Sequence, residues 1–197
     1  MALWLSSCST TSNQTPGQPT SAAAAQKNWK ARQIKLAKQV AWQLGGRASV
    51  SYRGDNWPFG IQWQQGSASQ YVIHIKHPLT QNTLAKVSKT ASGVTLKANG
   101  RTYSDSSPEN LIQKHLHVRL PVNGMQYWVR GIPSTAYPVT AVKLDSRGRP
   151  LVLQQAGWTI NYAKYQGADS YALPGLIKIS RTTPRPVQVK MRIREWR

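Results

Sequence analysis

From Arg47 to the C-terminus the dominant period of the sequence is two, broken by turn signals at short intervals. This pattern constrains the fold more than any other feature of the chain. Arg47-Ala48-Ser49-Val50-Ser51-Tyr52-Arg53 alternates small or apolar residues with polar ones, and Gly54-Asp55-Asn56 is a turn. Phe59, Ile61 and Trp63 share one face of a second strand reaching Gln65. Gly66 to Ser69 turns the chain again, and Tyr71, Ile73 and Ile75 alternate with Val72, His74 and Lys76. Successive side chains on a strand point to opposite faces, so this alternation means one buried face and one wetted face. Further strands are expected at Leu84–Lys89, Gly93–Ala98 and Arg101–Ser104, with Asn99-Gly100 as a strong hairpin signal. After an interruption they resume at Val139–Leu144, Leu151–Gln155, Trp158–Tyr165, Leu176–Arg181 and Val187–Trp196. A meander of about eleven strands tends to curl or close on itself.

The interruption is helical. Ser106-Ser107-Pro108-Glu109 has the spacing of a capping box with Pro just inside, which opens a helix to about Leu116. A second piece, Val122–Val129, carries Met125, Tyr127 and Trp128 and is stopped by Arg130-Gly131-Ile132-Pro133. Ahead of the strands, Asn28–Leu44 has a helical period: Trp29, Leu36, Ala37, Val40 and Leu44 share a face, Arg32, Lys35 and Lys38 lie opposite, and Gly45-Gly46 is the expected stop. From the residues the expected fold is mainly β (α+β): about eleven antiparallel strands in a curved sheet or half-open barrel, with a helical lid that leaves room for an apolar cavity.

Leu5-Ser6-Ser7-Cys8 has the shape of a lipoprotein processing site, in which the Cys thiol takes the diacylglycerol. Ser9 to Gln26 is uncharged and rich in Ser, Thr, Gln, Ala, Pro and Gly, a composition that cannot bury a core. As a flexible leash it would reach about 20–25 Å. The expected organisation is residues 1–8 as residual signal and processing site, 9–27 as tether, and 28–197 as one domain.

Charge narrows the function classes. Twenty-six Lys and Arg against six Asp and Glu give 26 − 6 = +20, which points to an anionic partner, nucleic acid or a membrane surface. Six carboxylates argue against carboxylate-based catalysis. One Cys excludes an internal disulfide. No G-x-x-x-x-G-K-[ST] or G-x-S-x-G pattern occurs, and His115 and His117 have no acidic residue nearby to complete a site. Neither an enzyme nor a cofactor or metal is expected.

In order and spacing these segments resemble the LolB family of outer-membrane lipoprotein receptors of Gram-negative bacteria. The resemblance rests on Trp42-Gln43-Leu44-Gly45-Gly46-Arg47, Ile61-Gln62-Trp63-Gln64-Gln65, Pro78-Leu79, Tyr127-Trp128-Val129-Arg130-Gly131-Ile132-Pro133, Gly157-Trp158-Thr159-Ile160-Asn161-Tyr162 and Leu173-Pro174. It implies an eleven-stranded unclosed barrel that accepts acylated lipoproteins from the periplasmic carrier LolA and places them in the outer membrane. It implies lipidation at Cys8, a periplasmic-side location, and a membrane-directed loop with an exposed Leu after Pro, matched by Leu79 and Pro78. The family usually has Gly after that Leu. Here Thr80 follows, and Thr resists positive φ, so the loop is expected to take its own shape. Candidate acyl-chain cavity residues are Trp57, Ile61, Trp63, Ile73, Ile75, Leu96, Tyr127, Trp128, Trp158 and Ile160; the sequence leaves open which sheet face looks inward. The expected partners are a LolA-type carrier, acylated lipoproteins and outer-membrane lipid, with no nucleic acid and the protein acting as a monomer. The rival readings are a basic nucleic-acid or polyanion-binding β-protein and a soluble LolA-like carrier.

Overall fold

The period-two segments form eleven strands of a single antiparallel sheet: β1 (Trp42–Tyr52), β2 (Asp55–Ser67), β3 (Gln70–Lys76), β4 (Thr83–Thr90), β5 (Gly93–Ala98), β6 (Arg101–Asp105), β7 (Val139–Leu144), β8 (Pro150–Gln155), β9 (Trp158–Gln166), β10 (Leu173–Arg181) and β11 (Val187–Trp196). This computed structural model describes residues 21–116 and 118–197, so the Cys8 site and residues 9–20 of the expected tether lie outside the described residues. Strand order is β6-β5-β4-β3-β2-β1-β11-β10-β9-β8-β7. Every neighbour in the sheet is a neighbour in sequence except β1 and β11, which join the first and last strands. β6 and β7 are left as the two free edges, so the barrel is unclosed.

The chain between those edges supplies α2 (Pro108–Leu116) and α3 (Val122–Trp128). Leu111 and Ile112 of α2 and Val122, Met125 and Trp128 of α3 join one buried cluster with Ile61, Val94, Leu153, Ile160 and Ile179 of the strands. The helices thus fill the concave side of the sheet. Closure at β1–β11 depends on a missing side chain. The register shifts between Gly45 and Gly46, and a Cβ on Gly46 would overlap the Arg192 carbonyl oxygen.

The first helix differs from expectation at both ends. α1 spans Ser21–Lys38, beginning inside the expected tether and ending before Trp42. Trp42-Gln43-Leu44-Gly45-Gly46 is the start of β1, and Gly45-Gly46 is a bulge, not a helix stop. The spacing Leu36, Val40, Leu44 fits a helix, but Trp42 and Leu44 also alternate with Gln43, and pairing of Leu44 with both Trp63 and Trp196 decides for the strand. The buried face of α1 is Ala25, Trp29, Arg32 and Leu36, whereas Ala37 and Val40 are exposed. Arg32, expected on the wetted face, is inside.

α2 starts where expected, with a different cap. Ser107, not Ser106, accepts the Asn110 amide at 3.3 Å. Glu109 is drawn away to α3, where its carboxylate accepts the Asn123 amide at 2.8 Å and the Asn123 side chain at 3.0 Å. Before the cap, Asp105 accepts from Lys114 Nζ at 2.7 Å and from the Ser107 amide at 3.1 Å. The Lys114 bond foremost, with the Ser107 amide bond, holds the Asp105 carboxyl down at about 2 from an ordinary 3.8. A folded value below the unfolded one contributes stability above pH ~4 that is lost as pH falls toward ~2. Asp105→Asn is therefore expected to flatten the acid limb of an unfolding titration followed by circular dichroism in that window. An unchanged limb would remove Asp105 from the account.

Candidate functional site

The inner face of the sheet is the odd-numbered face of β2, β3 and β4 and the even-numbered face of β5, and on it the cavity candidates converge. Ile61, Trp63, Ile73, Leu96, Trp128, Trp158 and Ile160 are all buried in the central cluster. Tyr127 is half-buried and packs against it. Ile75, near the end of β3, is half-buried. Trp57 is a correction: it is 46% exposed and outside the cluster. It pairs with Val50, so it has inner-face parity, but it stands near the β1–β2 turn, at one end of the sheet. The buried candidates share one cluster, so an acyl chain entering among them would displace side chains or helices. Two surface grooves lie elsewhere, one along Gln43, Gln62, Gln64 and Glu195 and one between β4 and β5.

Two glutamines at inward positions satisfy two of the buried indoles. Trp63 Nε1 donates to Gln65 Oε1 at 2.9 Å, and Trp128 Nε1 donates to Gln155 Oε1 at 2.8 Å. An indole N–H needs such a partner when buried. Gln155 also accepts the Ser134 amide at 2.9 Å and donates to the carbonyls of Ser134 at 2.8 Å and Tyr137 at 2.7 Å. It therefore fastens α3 and the segment after it to β8.

Two buried arginines fasten α1 to α3. Arg130 Nη1 donates to the carbonyls of Leu36 at 2.7 Å and Gln39 at 2.9 Å, at the C-terminus of α1. Arg32 donates to the carbonyls of Arg130 at 2.7 Å and Gly131 at 3.0 Å, just past α3, and to Ser170 and Ala172 at 2.8 and 2.9 Å. Each cation thus meets the negative end of the other's helix. Burial pulls the Arg32 guanidinium below its ordinary value and Arg130 down to about 10. Gly131, at φ +71°, has Arg32 where a Cβ would point, which is why the chain turns there on glycine.

At one end of the barrel Leu79 is 80% exposed, the most exposed of the large apolar residues among those described. Its loop, residues 77–82, is braced from within. His77 Nδ1 accepts the amides of Leu79 at 3.3 Å and Thr80 at 3.2 Å, and Gln81 Nε2 donates to the carbonyls of His77 and Pro78 at 3.3 and 3.2 Å. The left-handed residue is Gln81, at φ +62°. Thr80 is not required to adopt positive φ, so Thr in that place is compatible with the loop.

Residues 40–196 match the family described as "Outer membrane lipoprotein LolB". The chain belongs to the LolB family. It is 34% identical over 161 residues to the outer-membrane lipoprotein LolB of Nitrosococcus oceani, covering 81% of this chain and 79% of that one. It is 32% identical over 197 residues to the LolB of Coxiella burnetii, covering 99% and 89%. Among solved structures, a LolA superfamily protein from Nitrosomonas europaea superposes with a TM-score of 0.55 at 8% identity, over 85% of this chain and 92% of that one. That likeness is one of fold.

In this LolB-family chain the Tyr127–Pro133 motif is the end of α3 together with the arginine latch, and the Trp158–Tyr162 motif is the first half of β9. His115 stacks on Tyr103 at 3.8 Å between ring centres, and among the described residues no three His, Cys, Asp or Glu side chains gather as a metal site. Sequence reasoning passed over Arg32, Arg130, Gln65 and Gln155. The available signal was parity: Gln65 and Gln155 follow Trp63 and Leu153 on the same strand face, where an apolar residue is the norm.

Proposed function

We propose that this chain receives acylated lipoproteins from a LolA-type periplasmic carrier and inserts them into the outer membrane, itself tethered on the periplasmic side through a lipid on Cys8. The observation that carries the reading is Leu79, held out on a braced loop in a chain of the LolB family. An apolar interior under helices supports it. Each acyl CH₂ contributes about 0.8 kcal/mol on leaving water, so a chain of some 15 methylenes faces roughly 12 kcal/mol in solution. Cargo must then pass between facing apolar sites without release. With no nucleotide motif in the sequence, the transfer runs on differences of affinity, tenfold for each ~1.4 kcal/mol.

The test is transfer from a purified, loaded carrier to the chain bearing Cys8→Ala, with non-acylated cargo as control. Acyl-dependent transfer is expected, and its absence with both proteins folded would end the receptor reading. Leu79→Glu removes an apolar contact with the bilayer of about 1.5–3 kcal/mol. It is expected to leave acceptance unchanged and slow insertion into vesicles roughly 10- to 100-fold. Equal loss of both steps would count against a membrane role for Leu79.

A further inference from the structure

We propose that the Leu79 end of the barrel is a docking surface for a bilayer carrying anionic phospholipid headgroups, which its cations select. This deepens the receptor reading and rests on it.

Strand register defines the end. Tyr52 pairs with both Asp55 and Val187, Lys76 with Gly60 and Thr83, Ala85 with Ala98, and Arg181 with Val187. The β1–β2 turn, the Leu79 loop, the Asn99-Gly100 turn and the loop before β11 therefore gather at one end. They carry Arg53, Arg101 and Arg185, all exposed, with Lys76 beside them. A single carboxylate, Asp55, accompanies these cations. The others sit at the opposite end: Asp105 closes β6, Glu109 opens α2, Asp145 follows β7, Asp169 lies between β9 and β10, and Glu195 pairs with Gly45 near the start of β1. A chain with six carboxylates has placed all but one of them away from the Leu79 loop. One step further down the outer face, Lys86 is directly opposite Lys97. Like charges so placed repel unless an anion lies between them. Those two, with Leu84 and Arg101, line a groove on this same end.

Apolar residues share the end. Trp57, Leu79 and Leu84 are among the exposed large hydrophobics. They stand singly on a hairpin, a loop and a strand start, and do not form the contiguous apolar centre that a stable protein interface needs. Separate apolar tips among cations suit a lipid–water boundary, where each tip finds hydrocarbon and each cation a phosphate. The apolar tips alone would accept any bilayer; the cations make the distinction.

The experiment is flotation of the full chain bearing Cys8→Ala with vesicles of phosphatidylcholine, alone or with phosphatidylglycerol. Tighter binding to the anionic vesicles, weakened by salt, is expected. A near-surface cation contributes about fivefold in binding. The triple variant Lys76→Gln, Arg101→Gln, Arg185→Gln should therefore lose roughly 100-fold on anionic vesicles and little on neutral ones. The control, Lys164→Gln, Arg147→Gln, Arg194→Gln, removes the same charge from the other end and should change binding less than threefold or so. Equal loss in both triples would overturn the proposal in favour of net charge. Undiminished vesicle binding with slower uptake from the carrier would overturn it too, and assign the cations to an acidic protein. If anionic-vesicle binding behaves as expected but no acylated cargo is ever accepted, the docking surface stands and the receptor reading falls.

Discussion

Gln155→Leu is expected to lower the stability of the fold by about 3–6 kcal/mol, because three buried polar groups lose their partner at about 1–3 kcal/mol each. Those groups are the Trp128 indole N–H and the Ser134 amide and carbonyl. Gln155 is 0% exposed, and so is Trp128, so water has no ready path to replace the amide. The Tyr137 carbonyl also loses a donor but sits at a more open position, and adds little. Leu matches the volume of Gln, which keeps cavity formation out of the comparison. Gln155→Glu sharpens the test: a carboxylate keeps the two acceptor contacts but turns oxygen lone pairs toward the Ser134 and Tyr137 carbonyls. It should cost at least as much as Leu at neutral pH and recover on acidification, when protonation restores a donor. Urea unfolding followed by tryptophan emission measures both. A loss below ~1 kcal/mol for Leu would mean that a water takes over the role of Gln155.

The strands were legible because their physics is local. Gly93–Ala98, Val139–Leu144 and Val187–Trp196 have in the structure the limits their alternation sets. Turn chemistry placed the hairpins, with Asn99 at φ +51° and Gly100 at +73° as an Asn-Gly turn requires. What was illegible is what tertiary contact decides. The Val40–Leu44 stretch satisfies both periods, and only the pairing partners Trp63 and Trp196 choose between them. Trp57 has the right type and parity for the interior, but it lies near the β1–β2 turn, where it is left half exposed. Arg32 has the i, i+4, i+7, i+11 spacing of Ala25, Trp29 and Leu36, yet a charge was assigned to water because its acceptors lie more than ninety residues away in the chain.

The same packing bears on how such a site could work. With Ile61, Trp63, Ile160 and Trp128 buried in one cluster, an acyl chain entering among them would need movement of these side chains or of the covering helices. Of these, α3 is held at its C-terminus by Gln155, by the Tyr162 hydroxyl on the Trp128 carbonyl at 3.0 Å, and by the arginines. α2 is held by polar contacts nearer the surface, through Asp105, Ser107 and Glu109. Opening at α2 disturbs fewer buried bonds than opening at α3.

Arg32→Met should destabilise by about 3–5 kcal/mol, comparable to removing one member of a buried charged network. The guanidinium makes no ion pair among the described residues; its charge is met by four main-chain carbonyls and by the Tyr165 ring at 5.5 Å. Met keeps much of the aliphatic volume, so what is lost is the fork of donors. Because Arg32 spans α1, the end of α3 and the segment before β10, its loss should free α1 from the barrel before the sheet unfolds. Hydrogen exchange would then show amides of residues 25–36 losing protection while those of β1 and β11 keep theirs. Arg32→Lys retains the charge but presents a point donor, not a planar fork, and reaches fewer of the four carbonyls; it should recover about half of the loss. If Lys recovered everything, charge at the helix end would be the cause and the fork irrelevant. If Met cost nothing, the desolvation that lowers the Arg32 pKa would already cancel its four bonds, and α1 would be held by Trp29 and Leu36 alone.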